Sequence, residues 1–406
     1  MNYVNTSDWY NSLRREFESS GLSIEKVSRR SEYWRKSNLD IVSDFAQDTS
    51  QIDLTNLKGT SLHEPDLIIH GDMLESVSER NYKVLNIMDV IADEKSFAKA
   101  YFGRLEKKSQ NIVPRPLARD NTLNPKVGYV LSLSDSFNKP LVIHNKTDTS
   151  VSGSFQRNLI VIKEDVEATI IETGNNLSVF NEVTEIYLEK NAKLNYLDLT
   201  GENNVFPKIV HKFCDMAENS SFNHFGLRLN TKATRSEIEL HLNGRGISTS
   251  IANVCILNKK HHYSDENVLI NHNAPECKSR QVFKSIVEND STSIVRGKIY
   301  VASEAQKTDG YQSSRSLLLS ENSKFLCKPE LEIYADDVIC SHGSTSSSLD
   351  RESLFYLLSR GVHKNKAKEM LITAFISEAL EEIEDESIKS ALSNYLDVWI
   401  SRFFHE

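Results

Sequence analysis

From about residue 125 to residue 345 the chain repeats one short pattern. A run of alternating apolar and polar residues is followed by an acid or amide, a small residue and a new run. Such runs occur at 159–162, 168–171, 185–188, 194–197, 237–240, 268–270 and 293–295. Alternation with a period of two predicts strands. The joints resemble one another: Asp165-Val166-Glu167-Ala168, Lys190-Asn191-Ala192-Lys193, Glu218-Asn219-Ser220-Ser221, Asn289-Asp290-Ser291-Thr292 and Glu321-Asn322-Ser323-Lys324. Asn, Asp and Ser favour turns because their side chains bond nearby backbone. No helical periodicity interrupts the region, whereas a doubly wound α/β sheet needs a helix after each strand. The remaining architectures are a large sandwich and a β-solenoid. Recurrent turn chemistry at near-regular spacing favours the solenoid, in which each coil stacks on the last. Glycine (15) and proline (8) are also sparse for a sandwich built of tight hairpins.

The flanks have another texture, giving three expected regions: a mixed, mostly helical part at 1–124, the β core at 125–349 and a helical part at 350–406. Thr6 or Ser7 is placed to cap a helix that carries Trp9, Tyr10, Leu13 and Phe17 and stops before Gly21. Phe97, Tyr101 and Leu105, four apart, predict a second helix after Asp93. Asp350 is placed to cap a helix through Leu354, Phe355 and Leu358 that ends at Gly361. A further helix from about Lys366 is expected to carry Ala367, Leu371, Ala374 and Phe375 on one face. The last aligns Ile388, Leu392, Tyr395, Trp399, Ile400 and Phe403. The acidic run at 381–386 reads as a solvated loop and helix start, or as part of a docking surface.

Composition removes several function classes. Hydrophobic residues make up 39% of the chain, which suits a globular core and not a disordered one. No apolar run approaches the roughly 20 residues of a membrane helix. The first residues lack the pattern of a signal peptide, so a cytoplasmic location and no membrane contact are expected. A net charge of −9 argues against a general nucleic-acid binder. The cysteines are Cys214, Cys255, Cys277, Cys327 and Cys340, an odd number with no C-x-x-C spacing. Disulfides and a private iron–sulfur cluster are therefore not expected. A metal, if touched, would be shared with another chain.

The richest chemistry lies at 328–343, where an alternating run leads into Asp336, Asp337, Cys340 and His342. Cys340 and His342 are two apart and on a strand would share a face. Thiolate and imidazole together suit zinc or iron. No G-x-x-x-x-G-K-[ST] or G-x-S-x-G motif is present, and Pro65 breaks the helix that a zincin reading of His63-Glu64 would need. Gly244-Arg245-Gly246 reads as a turn. His261, His262, His272 and Cys277 read better as strand and turn residues than as a metal set, because adjacent strand residues point to opposite faces. An alternative function rests on Asp309, Asp336 and Asp337. A β-helix carbohydrate-processing enzyme would use such carboxylates, one protonated and one ionised. Against it stand the absence of an export signal and of a row of aromatic platforms.

Several segments, taken together, resemble a known family. They are Gln281-Val282-Phe283-Lys284, Gly297-Lys298-Ile299-Tyr300-Val301, Ala305-Gln306-Lys307-Thr308-Asp309-Gly310-Tyr311-Gln312, Leu317-Leu318-Leu319-Ser320, the stretch 328–343, Leu354-Phe355-Tyr356-Leu357 and Ser359-Arg360-Gly361. In order and spacing they resemble the SufB/SufD family of iron–sulfur cluster assembly, on its D-type side. His272-Asn273-Ala274-Pro275, Gly21-Leu22 and Glu32-Tyr33-Trp34-Arg35 are weaker echoes. The chain departs from the family after Gly343, where Ser344-Thr345-Ser346-Ser347-Ser348 replaces an Ala-Thr-Val-Gly-like run.

The resemblance implies a right-handed parallel β-helix flanked by N-terminal and C-terminal helical parts. It implies a scaffold subunit, not an enzyme, in a complex with SufB and the ATPase SufC. SufB would pair through the late β-helix strands, and SufC would dock on the helices of 350–406. His342 would be the metal-facing residue of a cluster-assembly site shared with SufB, with Cys340 beside it. Asp336, Asp337, Leu354, Phe355 and Tyr356 are the implied partner-interface residues. No cofactor would be held stably, only a transient iron–sulfur cluster. Exposed late strands would also permit a homodimer of the isolated chain.

Overall fold

The computed structural model describes residues 6–21, 65–70, 73–76, 82–146, 154–175, 180–201 and 206–403. Leu22, the segment 32–35 and His63-Glu64 lie outside the described residues. In chain order the strands are β1 (Leu67–His70), β2 (Met73–Ser76), β3 (Lys83–Asn86), β4 (Tyr129–Leu133), β5 (Leu141–Lys146), β6 (Ser154–Ile162), β7 (Glu167–Asn175), β8 (Phe180–Leu188), β9 (Lys193–Thr200) and β10 (Lys208–Met216). They continue as β11 (Ser221–Leu229), β12 (Ala233–Leu242), β13 (Ser248–Leu257), β14 (Tyr263–His272), β15 (Lys278–Val287), β16 (Thr292–Val301), β17 (Thr308–Leu318), β18 (Lys324–Ile333) and β19 (Val338–Ser347). The helices are α1 (Asp8–Ser19), α2 (Ile87–Ala92), α3 (Arg104–Gln110), α4 (Pro116–Leu123), α5 (Arg351–Ser359), α6 (Lys364–Leu380) and α7 (Glu386–Phe403).

From β4 onward, successive strands alternate between two sheets. The odd strands β5 to β19 lie side by side in one, and the even strands β4 to β18 in the other. Within each sheet these neighbours are parallel and in register, as in β15 with β17 and β17 with β19. Antiparallel β2 and β3 close the early ends. The chain is a β-solenoid of about seven turns with helices at both ends, as the alternation and turn chemistry predict.

Left-handed corners explain the acid-or-amide joints at Asp165, Asn191, Asn219 and, after the odd strand β15, Asn289 and Asp290. After each even strand from β6 to β16 one corner residue is left-handed: Asp165 (φ 60°), Asn191 (57°), Asn219 (56°), Gly246 (73°), Glu276 (60°) and Lys307 (59°). Asn, Asp and Gly tolerate this region best. Each backbone N–H then donates to the next coil: Asn191 to the Glu218 carbonyl (2.9 Å), Asn219 to Arg245 (2.9 Å), Glu276 to Gln306 (2.9 Å) and Lys307 to Asp337 (2.6 Å). The turns thus extend the sheet hydrogen bonding around the corner.

The strands are buried on both faces through the middle of the stack, as in β8 and β12. Between the sheets lies a core that includes Ile160, Ile186, Leu194, Phe222, Leu240 and Ile270. The outer face of the even sheet packs under the N-terminal helices, with Val130, Leu159 and Val161 against Trp9, Tyr10 and Phe102. The outer face of the odd sheet packs under α6 and α7, with Phe225, Val254 and Val282 in one cluster with Ile372, Ile376, Leu392 and Leu396.

Three helical expectations need correction. Ser7 precedes α1, yet its side chain does not cap it; its N–H and hydroxyl both donate to the Ile91 carbonyl (3.0 and 2.7 Å), tying α1 to α2. The expected helix through Phe97, Tyr101 and Leu105 is instead a 3-10 turn (Phe97–Ala100) and α3, broken at Gly103. The Glu185 carboxylate of β8 causes the break by accepting the N–H groups of Gly103 (2.5 Å), Leu105 (2.8 Å) and Glu106 (3.1 Å), which starts a new helix there. In α6 the buried stripe is Ala367, Ile372, Ile376 and Ala379, while Ala374 is exposed, because the β-branched residues turn toward the odd sheet.

Candidate functional site

The two sheets end at different exposures. In β17 the residues at 312–314 are buried, whereas β19 is exposed along most of its length and β18 is half-buried. No further strand pairs with β18 or β19 among the described residues. The last coil therefore presents the inner faces of both sheets at an open end.

Register fixes which side chains point into that end. Cys340 pairs with Gly310 and His342 with Gln312. A Cβ on Gly310 would stand 3.2 Å from Cys340 Sγ and 3.4 Å from Ile299 Cδ1, an atom of the facing sheet. Gln312 reaches across to Gly297, also of the facing sheet. Cys340 and His342 thus share the inward face of β19. His342 is exposed, and no hydrogen-bond partner for it occurs among the described residues. Cys340 is half-buried in a small apolar cluster with Ile299, Leu331 and Val338, and burial pushes its thiol above the usual range. On the opposite inner face β18 contributes Phe325 and Cys327, which pack against the end of the main core.

Among the described residues, no three His, Cys, Asp or Glu side chains are grouped to hold a metal ion. One thiol and one imidazole fall short of the four ligands of a closed zinc site or a four-thiolate cluster site. The arrangement is open to donors from outside the chain.

The remaining candidates fall elsewhere. Asp336 and Asp337 are exposed in the corner between β18 and β19, where the Asp337 N–H donates to Gln306 Oε1 (2.9 Å). Asp309 is exposed, and its neighbour Gly310 faces inward, so alternation points Asp309 outward. These three carboxylates are not enclosed, and the burial that separates an acid from a base in a glycosidase pair is missing. His261 sits at a left-handed corner. His272 is fully buried, 2.8 Å from the Ser279 hydroxyl, and desolvation lowers its pKa to about 4. The Cys277 thiol donates to the Gly244 carbonyl (3.2 Å). These are structural positions.

On α5, Leu354 is half-buried while Phe355 and Tyr356 are 73% and 56% exposed. Leu358 and, on α6, Met370 are also exposed. The acidic run is partly used internally: Asp385 caps α7 through the N–H groups of Ser387 (2.8 Å) and Ile388 (3.1 Å), and Glu382 accepts from Ser250 and Arg280.

Sequence reasoning missed a buried ionic network inside the solenoid. The Lys212 ammonium lies 3.5 to 3.7 Å from Glu172, Glu182 and Asp198, and Arg228 is 2.9 Å from Asp198. Burial alone would lower the Lys212 pKa, but the three carboxylates hold it above the usual lysine value. Burial and then Glu172 push Glu182 up to about 7. Unpaired, such charges would be untenable in a core. Charged letters inside strand runs were the available signal.

Comparison with known proteins gives the same direction. Residues 142–375, more than half of the chain, match the family model described as SUF system FeS cluster assembly, SufBD core domain. The chain is similar to the iron–sulfur cluster assembly protein SufD of Escherichia coli, at 34% identity over 62% of this chain and 61% of that protein. It is similar to the SufBD family protein slr0076 of Synechocystis, at 30% over 58% and 54%. The chloroplastic protein ABCI7 of Arabidopsis thaliana is 30% identical over 59% and 52%. The aligned part thus spans about half to three fifths of these relatives. With a β-solenoid, terminal helices and this match over most of the coils, the chain belongs to the SufB/SufD family of iron–sulfur cluster assembly proteins and is of SufD type.

Proposed function

We propose that the chain is a non-catalytic scaffold subunit of a SufBCD-type complex that assembles iron–sulfur clusters. The observation that carries this reading is the pair of Cys340 and His342 on the inward face of the last coil, at an end that no strand among the described residues closes. Neutral imidazole is a good iron ligand, and an exposed ring with no direct hydrogen bond to a described side chain can turn one nitrogen outward. In this reading SufB covers the open end and supplies the missing donors, so that the transient cluster is cargo shared between the two chains. Asp336 and Asp337 lie at the rim of that contact. The exposed apolar surface of α5, with Phe355 and Tyr356 beside Leu354, is the contact for SufC, whose ATP hydrolysis would be felt through the C-terminal helices. The same open strands support a homodimer when the chain is alone.

The test is His342→Ala in the reconstituted complex. The variant is expected to fold and to keep both partners while cluster formation, followed by visible absorption, falls by at least about ten-fold. Wild-type cluster formation would sink the assignment.

A further inference from the structure

The wall behind His342 is polar and unpaired. Gln281 of β15 and Gln312 of β17 are both fully buried, and neither amide has a hydrogen-bond partner at its oxygen or its nitrogen. The hydroxyl of Ser314, two residues further along the same face, is likewise buried and unpaired. Four orphaned amide atoms side by side are costly in an apolar core, and native interiors satisfy such groups, commonly with ordered water. The space is built for them. The Nε2 of Gln312 and the Oε1 of Gln281 lie 1.8 and 2.7 Å from where a Cβ on Gly297 would stand, so any larger residue at 297 would displace both amides.

The position of this niche gives it meaning. Gln281, Gln312 and His342 are successive in-register rungs of the odd sheet. Adjacent parallel strands lie about 4.8 Å apart, within reach of a direct or single-water hydrogen bond between side chains on one face. A metal-binding histidine generally donates its second ring N–H to an acceptor, which fixes tautomer and orientation. The niche offers such acceptors in the amide oxygens of Gln281 and Gln312.

The geometry points to Gln312, backed by Gln281 and ordered water, as the positioning residue for His342. Through an ordered water that accepts one ring N–H of His342 and donates to the Gln312 amide oxygen, that ring nitrogen is held toward the interior, and the other is turned outward to the shared site. This rests on the reading of His342 as the cluster-facing residue.

The experiment uses Gln312→Leu and Gln312→Met in the full chain and in the reconstituted complex. In the chain alone, the 15N shifts of the His342 ring report its tautomer and hydrogen bonding. Both variants are expected to shift those signals and to melt no lower than the wild type, since the amide removed is buried and has no direct protein partner. In the complex they are expected to slow cluster formation about ten-fold, the lower end for loss of a group that orients a metal-binding histidine. Gly297→Ala is expected to act in the same direction by displacing the amides. Unchanged ring signals in both Gln312 variants would overturn the positioning role. So would unchanged cluster formation in them when His342→Ala is impaired. Full activity of His342→Ala instead removes the underlying reading while leaving the ring-signal result to stand on its own.

Discussion

Glu106 shows how much a single residue depends on partners far away in sequence. Its carboxyl is fully buried, accepts a hydrogen bond from Thr122 and lies 3.5 Å from Arg157, which sits closer to Glu185 (2.8 Å). Burial pushes its pKa from 4.5 up to about 7, with Arg157 opposing only in part. Between those values the folded state holds a proton that the unfolded state has lost, so this contribution is complete below about pH 4.5 and disappears as pH rises toward 7. Glu106→Gln, neutral at every pH, is expected to lose less stability than the wild type between about pH 5 and pH 7.5, by on the order of 2 kcal/mol. Denaturant melts at the two pH values read this difference directly, and parallel pH profiles would refute it. Cys340 and His342 were legible at this scale because reactive residue types two apart declare a shared strand face. Gln281 and Gln312 were not, since an isolated glutamine looks like a surface residue until register stacks it behind a histidine.

Among the elements, α5 followed its sequence closely. Asp350 Oδ2 accepts from the Ser353 N–H (2.9 Å), and the C-terminus closes with Val362 N–H on the Leu357 carbonyl (3.1 Å) and Gly361 N–H on Leu358 (3.0 Å). Gly361 takes φ 82°, the left-handed position that such a Schellman closure requires. Both ends are local chemistry, so both could be read from single letters. The helix buries no residue, yet it carries Phe355 and Tyr356. Phe355→Ser with Tyr356→Ser is therefore expected to change stability by no more than about 0.5 kcal/mol per site while abolishing capture of SufC by the purified chain. Undiminished capture would argue against α5 as the contact. The segment after Asp93 failed the same kind of reading because its helix start is set by Glu185, 80 residues from Leu105, and not by a local cap.

In the whole molecule, two sheets need three apolar layers: one between them and one over each outer face. Helices from opposite ends of the chain supply the outer layers. Removing everything after Asp350 would uncover Phe225, Leu227, Val254, Ile256 and Val282 at once. That truncation is expected to aggregate on size-exclusion chromatography, because contiguous exposed apolar surface of this kind drives association. A well-behaved monomer would show that α6 and α7 are dispensable to the fold. Among the described residues no helix is long and apolar enough to cross a membrane.

By itself the sequence determined the architecture. Period-two runs and left-handed-tolerant corner residues are local properties, and repeated every coil they leave the chain little choice but to wind. It also determined which residue types stand near the end of the last strand. Only the tertiary structure decided that Cys340 and His342 face inward at an open end, that unpaired amides stand behind the imidazole, and that charged side chains inside the coils neutralise one another. Those facts depend on register between strands a full coil apart in sequence. A slip of one residue would turn every one of those side chains to the other face, so which residues stand next to one another is fixed only when the coils stack.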